Sequence, residues 1–374
     1  MRRRDGGRRA TLIRGIAALV GLGAMLAAAP LALAGEASWD DVVKAANAEG
    51  EVDVHGGPGE MFRHILVDGF RAAYPKIKVN FNGLSGRNAI PKIVRERQAS
   101  IYSLDVYNGG TSSILQSLKP IGAFEPLRDA FLLPEVLDDK AWLGGLDAGW
   151  IDKEKKYVMG FEATVTPMLS VNWDFVPHDE LKTYDDLLKP EFAGKIVWDD
   201  PRLPGQGISV AQRFLVNYGA DWLKRLFAQQ KIAYITNPRQ LAEWVVAGKY
   251  PIGIGLAPQE LKIFQLHGLG KNVSDFLVPL PHPSLEYGYG TLSMLSHAPH
   301  PNAAKVYINW LLSKAGQTEW IKTGDNSRRL DVPVADSATA AKPGTVYIGE
   351  QNEENLPTRQ QAAQIAKQNI PAGP

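Results

Sequence analysis

The chain has 374 residues, with 41 Lys+Arg against 40 Asp+Glu and no cysteine. A near-neutral balance gives no electrostatic footprint for nucleic acid, and the lack of cysteine excludes disulfides and thiol nucleophiles. Stability must come from buried apolar surface, and the length predicts more than one lobe.

Arg2, Arg3, Arg4, Arg8, Arg9 and Arg14 form a basic head, followed by an apolar run from Gly15 to Leu33 and by Ala32-Leu33-Ala34. This is the layout of a secretory signal cleaved near Ala34, so residues 1–34 are excluded from the expected fold. Arg8-Arg9 also suits the twin-arginine route, so the Sec and twin-arginine routes both stay open. No cysteine follows the cleavage site to carry a lipid anchor. Residues 1–34 hold six Arg and one Asp, so the mature chain keeps 35 basic and 39 acidic residues, a net of −4. A periplasmic location follows. No later segment is apolar enough to span a bilayer.

Ser38-Trp39-Asp40-Asp41 predicts a capped helix that Gly50 ends. Glu51–Val54 alternates as a strand and runs into His55-Gly56-Gly57-Pro58-Gly59. Met61, Phe62, Ile65, Leu66 and Phe70 then fall at helical spacing. Ile77, Val79 and Phe81 alternate as a second strand, followed by a loop at 82–87 and a helix marked by Ile90, Ile93 and Val94. Leu104–Tyr107 is a third strand, leading to Asn108-Gly109-Gly110-Thr111-Ser112 and a further helix. Strand, glycine loop and helix thus recur, which predicts an α/β domain with a mainly parallel sheet.

The style repeats downstream. Residues 165–173 read as one strand. Gly194–Trp198 is another, entering the Asp199–Gly207 loop, with helices around 210–218 and 222–230. Asn237-Pro238 starts a helix, and Ile252, Ile254 and Leu256 alternate as a strand. Residues 35–160 are expected to form the first part of lobe 1, 161–284 lobe 2 and 285–345 a return to lobe 1. The polar segment 346–374 is expected to be a surface tail.

Five stretches carry a resemblance. They are Phe70–Val79, Asp105–Gly110, Tyr184–Ile196, Asp200-Pro201-Arg202 and Ala298–Lys305. Together, in this order, they resemble the family 1 extracellular solute-binding proteins of ABC importers, in the branch of ferric-iron, phosphonate and sugar-phosphate binders. The resemblance implies the type II periplasmic-binding fold: two α/β lobes, a hinge and a ligand cleft between them. It also implies closure on a small molecule and docking of a monomer on a permease–ATPase complex.

In open α/β sheets, ligands bind at the carboxyl ends of the strands. Glycine turns and helix starts there present backbone N–H groups to oxygen-rich or anionic ligands. The candidate contacts in the first lobe are Gly56, Gly57, Ser85, Gly86, Arg87, Asn108, Gly110, Thr111 and Ser112. Arg87 is the expected anion clamp, because its planar fork suits a carboxylate or phosphate; Arg202 and Arg239 are weaker versions of the same idea. Glu162, at the expected lobe junction, joins them, and the second lobe offers Asp200, Gly205, Gln206 and Gly207. A small organic anion is the expected ligand.

Ferric-iron members carry adjacent tyrosines after the strand matching Ile252–Leu256. Here that stretch reads Leu256-Ala257-Pro258-Gln259-Glu260, which makes Gln259 a candidate contact and leaves no tyrosine pair. Tyr287 and Tyr289 are expected to diverge, and one of them to wall an organic ligand. Iron transport stays as the alternative. No cofactor and no metal set are expected. A secreted enzyme is the rival class, but the chain has no cysteine, no Gly-x-Ser-x-Gly and no His-Glu-x-x-His.

Overall fold

The structure is a computed structural model that describes residues 38–111 and 114–371, with the side chain of Arg87 also outside the description. The expected signal, Ser112 and the Arg87 clamp therefore lie outside the described residues.

Thirteen strands are described: β1 (Glu51–Gly56), β2 (Lys78–Gly83), β3 (Val106–Asn108), β4 (Met159–Gly160), β5 (Thr164–Val165), β6 (Leu169–Asn172), β7 (Ile196–Asp199), β8 (Ala233–Ile235), β9 (Ile252–Ile254), β10 (Val273–Asp275), β11 (Ser284–Glu286), β12 (Thr291–Met294) and β13 (Ile348–Gly349). They form two five-stranded sheets, ordered β2-β1-β3-β12-β4 and β10-β6-β9-β7-β8, and a small third sheet ordered β13-β11-β5. The first sheet starts parallel, with Val52 beside Val79 and Val54 beside both Phe81 and Val106. Its later pairs are antiparallel, because β12 runs against both β3 and β4. The third sheet is built from the crossovers. β5 lies on the way from the first sheet to the second, β11 lies on the way back, and β13 pairs with β11 from the C-terminal side.

Local chemistry accounts for the element ends. The Ser38 hydroxyl accepts a hydrogen bond from the Asp41 N–H at 3.3 Å, and Gly50 closes that helix at φ 76°, a conformation glycine adopts without steric cost. Asn237 caps Pro238–Val246 by accepting from the Gln240 N–H. The two helices expected at 210–218 and 222–230 are one element, Gln206–Gln229, bent at Gly219 where φ is 83°.

Where a mainly parallel sheet was expected, each large sheet is mixed, with two parallel and two antiparallel pairs, and its central strands are covered on both faces. Val197 packs into one cluster with Leu241 and Val245, while Trp198 packs into another with Phe214 and Phe227. Each such side chain contributes about 1.5–3 kcal/mol by leaving water.

Two further expectations are corrected. Residues 165–173 are not one strand: Thr164–Val165 joins the third sheet and Leu169–Asn172 the second. Pro167 falls between them and has no N–H to continue a ladder. The C-terminal segment is not a surface tail. Ala362, Ile365, Ala366 and Ile370 are buried in the second core, against the helix Gln206–Gln229. Small apolar residues spaced one turn apart made that helix look weak, yet they let it pack closely. Just before it, Glu353 N–H donates to the Ile151 carbonyl and Thr111 Oγ1 donates to Gln351 Oε1 at 2.9 Å. The segment therefore ties residues of both halves together.

Candidate functional site

A cavity of about 480 Å³ opens between the two large sheets. Gly86, Gly110 and Thr111 reach it from the loops after β2 and β3, and Gly205, Gln206 and Gln259 from the second-sheet side. Glu162, Glu286, Gly288 and Tyr289 reach it from the crossovers, and Asp325, Asp336, Gln351 and Arg359 from the last part of the chain.

Of the expected contacts, eight line this cavity: Gly86, Gly110, Thr111, Glu162, Gly205, Gln206, Gln259 and Tyr289. The others sit elsewhere. Gly56 and Gly57 are packing glycines, since a Cβ would fall 2.5 Å from the Phe81 ring at the first and 2.6 Å from the Phe62 ring at the second. At Gly207 a Cβ would lie 1.7 Å from the Asp199 carbonyl, so the glycine serves the close approach of helix and strand. Ser85 opens its helix through its carbonyl, which accepts the Asn88 and Ala89 N–H groups. Asn108 donates to the Thr291 carbonyl at 2.9 Å and joins β3 to β12. Asp200 is held by Arg202 through paired hydrogen bonds of 2.9 and 2.7 Å, so neither serves as a free clamp. Arg239 lies 4.0 Å from Glu260.

Tyr287 and Tyr289 do diverge, because a turn at Gly288, where φ is 45°, separates them. Tyr287 is buried and donates to Asn352 Oδ1, whereas Tyr289 faces the cavity.

The electrostatics of the wall differ from the expectation. Glu162, Asp275, Glu286, Asp325 and Asp336 line it, and among the described residues Arg359 is its one cation. Arg359 is already engaged, donating to Ser209 Oγ at 3.0 Å and Gln212 Oε1 at 3.4 Å. Behind the wall, fully buried Arg213 binds Glu350 at 2.6 Å and lies 3.7 Å from Glu286. Gln206 Nε2 also donates to Glu286, at 2.8 Å. Glu162 is 2% exposed, and its Oε2 has no hydrogen-bond partner. Burial pushes the Glu162 carboxyl well above the usual range, and the nearby Asp325 and Glu286 charges push it further. Burial, then Glu286, raise Asp325 to about 6.

A second acidic group lies at the entering end of β3. Asp105 accepts the Asp53 N–H at 2.7 Å, the His300 N–H at 2.7 Å and His300 Nδ1 at 2.9 Å. Asp53, Asp105 and His300 are the one set among the described residues whose ligating atoms converge within 4.8 Å. Their mutual bonds account for that convergence.

Residues 55–318, more than half of the chain, match the family model described as bacterial extracellular solute-binding protein. The chain belongs to that family. The solute-binding protein is 24% identical to an uncharacterized protein of Haemophilus influenzae over 331 residues, covering 86% of this chain and 90% of that one. Its fold matches apo ferric ion-binding protein A of Pasteurella haemolytica, with TM-score 0.66, 15% identity and coverage of 85% and 97% of the two chains. It also matches AfuA of Actinobacillus pleuropneumoniae with fructose-6-phosphate bound, with TM-score 0.62, 19% identity and coverage of 86% and 98%. A third match is the Trichodesmium protein IdiA (FutA) in complex with iron and citrate, with TM-score 0.63, 17% identity and coverage of 85% and 99%. The solute-binding protein thus has the periplasmic-binding fold, and among the described residues no helix is long and apolar enough to cross a membrane.

Asp275, Glu286, Asp325, Asp336 and Arg359 were not found by sequence reasoning. They are scattered over two strands, a helix and two loops, and no spacing links them. The one signal is Glu286, a carboxylate within an otherwise uncharged strand, Ser284–Glu286, whose residues are all buried.

Proposed function

We propose that this chain is the periplasmic binding component of an importer, capturing a small organic solute in the cavity between its two sheets and presenting it to a membrane permease–ATPase complex. The observation that carries this reading is the cavity wall itself. It draws residues from loops of both sheets and from the crossover strands, so a ligand there touches every part that a hinge motion would bring together. The acids of the wall are spread over separate elements, an arrangement that suits holding a ligand from several sides.

Iron has support from the names of the structural neighbours, but among the described residues Tyr289 is the one tyrosine on this wall. An anionic solute has support from the helix starts at Gly86 and Gln206. The carboxylates of the wall oppose it.

Protein isolated from the periplasm of its own host should carry a non-covalent small molecule in native mass spectrometry, lost on denaturation. Adding the released molecule back should reduce the radius of gyration in solution scattering. An empty protein that no fraction of a metabolite extract compacts would overturn the reading.

A further inference from the structure

We infer that the solute carries a protonated amine, seated where Glu162, Glu286 and Asp325 face the cavity. The inference rests on the solute-binding reading above. Its main support is Glu162, which lines the cavity and whose buried Oε2 has no hydrogen-bond partner. A buried carboxylate oxygen left unpaired is costly, and native structures rarely keep one without a use. The surrounding charges do not supply the missing donor. Arg213 is paired with Glu350 at 2.6 Å and donates to the Pro167 carbonyl at 2.9 Å, and its remaining Nη2, without a hydrogen bond, is drawn to Glu286 at 3.7 Å. Arg359 donates away from Glu162, to Ser209 and Gln212. Four carboxylates (Glu162, Glu286, Asp325 and Glu350) therefore share two guanidinium groups around one cavity, and the deficit is positive charge.

An ammonium group fits this deficit. It brings up to three N–H donors to one point, matching the acceptors that the wall presents. Tyr289 adds to the same wall an aromatic ring, the kind of group that attracts a cation. A bare metal ion fits less well. The oxygens of Glu162, Glu286 and Asp325 do not converge within 4.8 Å, as those of Asp53, Asp105 and His300 do. A wider trio suits an organic cation, and a cavity of about 480 Å³ holds one of metabolite size.

The test uses the mature protein and a metabolite extract freed of metal ions on a chelating resin. The extract is loaded at pH 2 on a sulfonate resin, which retains compounds with a basic nitrogen and passes sugars, phosphates and carboxylic acids. Each fraction is then brought to neutral pH and its effect on the melting temperature recorded. The retained fraction should raise it. Glu162→Gln should need at least ten-fold more of that fraction for the same rise, while melting no lower than the parent when empty. Asp325→Asn is the second variant and should weaken the response in the same direction. A rise from the unretained fraction alone would overturn the amine and leave solute binding standing. No rise from either fraction would overturn both readings. An unchanged response in Glu162→Gln and Asp325→Asn would remove these carboxylates from the site, whichever fraction binds.

Discussion

The protein has two carboxylate-rich clusters, and they behave in opposite ways. In the Asp53–Asp105–His300 group, the buried carboxylate of Asp105 is saturated by two backbone N–H groups and an imidazole nitrogen of the same chain. In the cavity group, Glu162 is as buried as Asp105 is, yet one of its oxygens meets nothing. Acidity and burial are shared, so neither marks a site. The difference is whether the chain completes its own hydrogen bonding. The first cluster joins β1, β3 and the helix Pro301–Leu312, and the second keeps a place for something else.

The largest test of this contrast is Arg213, the fully buried cation behind the cavity wall. Arg213→Met would leave Glu350 and Glu286 facing each other without their shared guanidinium. A loss of about 3–5 kcal/mol is expected, the range for removing one partner of a buried ion pair. Urea unfolding of the empty protein checks it, and a loss under about 1 kcal/mol would show that the network is not electrostatically coupled.

Asp105→Ala probes the saturated cluster. It strands the Asp53 and His300 N–H groups, and about 2–4 kcal/mol should be lost. Ligand affinity should stay within two-fold of the parent, because none of these three residues lines the cavity. An affinity change of ten-fold or more would erase the division between a structural and a functional cluster.

A third test uses pH. Asp325 is raised to about 6 in the folded protein from an ordinary 3.8, so the folded state holds its proton more tightly than the unfolded state. The resulting stability is full below about pH 4 and is lost as pH rises through about 6. For this partly exposed group it amounts to about 1–3 kcal/mol after screening. Glu162, raised first by burial, acts in the same sense. His300 also shares the sign. Burial lowers its pKa, but the Asp105 hydrogen bond and the Asp105, Asp53 and Glu51 charges raise it to a larger extent. Melting temperatures from pH 4 to 8 should therefore fall for the parent and fall less for Asp325→Asn. An identical slope in that variant would move the effect to Glu162 and His300.

The smallest effect is the most diagnostic. Glu162→Gln removes a charge that the empty cavity holds at a cost, so at pH 8 the empty variant should gain about 1 kcal/mol. A loss instead would mean that Glu162 has a structural partner.

The sequence carried the fold further than the site. The strand–glycine–helix rhythm through Glu51, Lys78 and Val106 showed the first sheet, because alternation and turn residues are local signals. The split at Pro167 was missed, because the apolar run 165–173 masked a proline that cannot continue a ladder. The last helix was missed because alanines at 362 and 366 carry little hydrophobic contrast. In the site, glycines were the visible feature, and Gly56, Gly57 and Gly207 proved to serve packing against Phe81, Phe62 and Asp199. Asp275, Glu286, Asp325 and Arg359 meet only through tertiary folding, and no local pattern announces such a meeting.

The C-terminal strap has a practical consequence for anyone who alters the protein. Glu350 and Gln351 belong to the cavity and its supporting ion pair, and the helix beyond them seals the second core at Ile370. Trimming the chain back to residue 345 as if it ended in a dispensable tail would remove the Arg213 counter-charge and open an apolar face together. A fluorescent reporter or purification tag therefore belongs before Ser38, and protease nicking between Lys342 and Thr345 should silence binding without removing any residue.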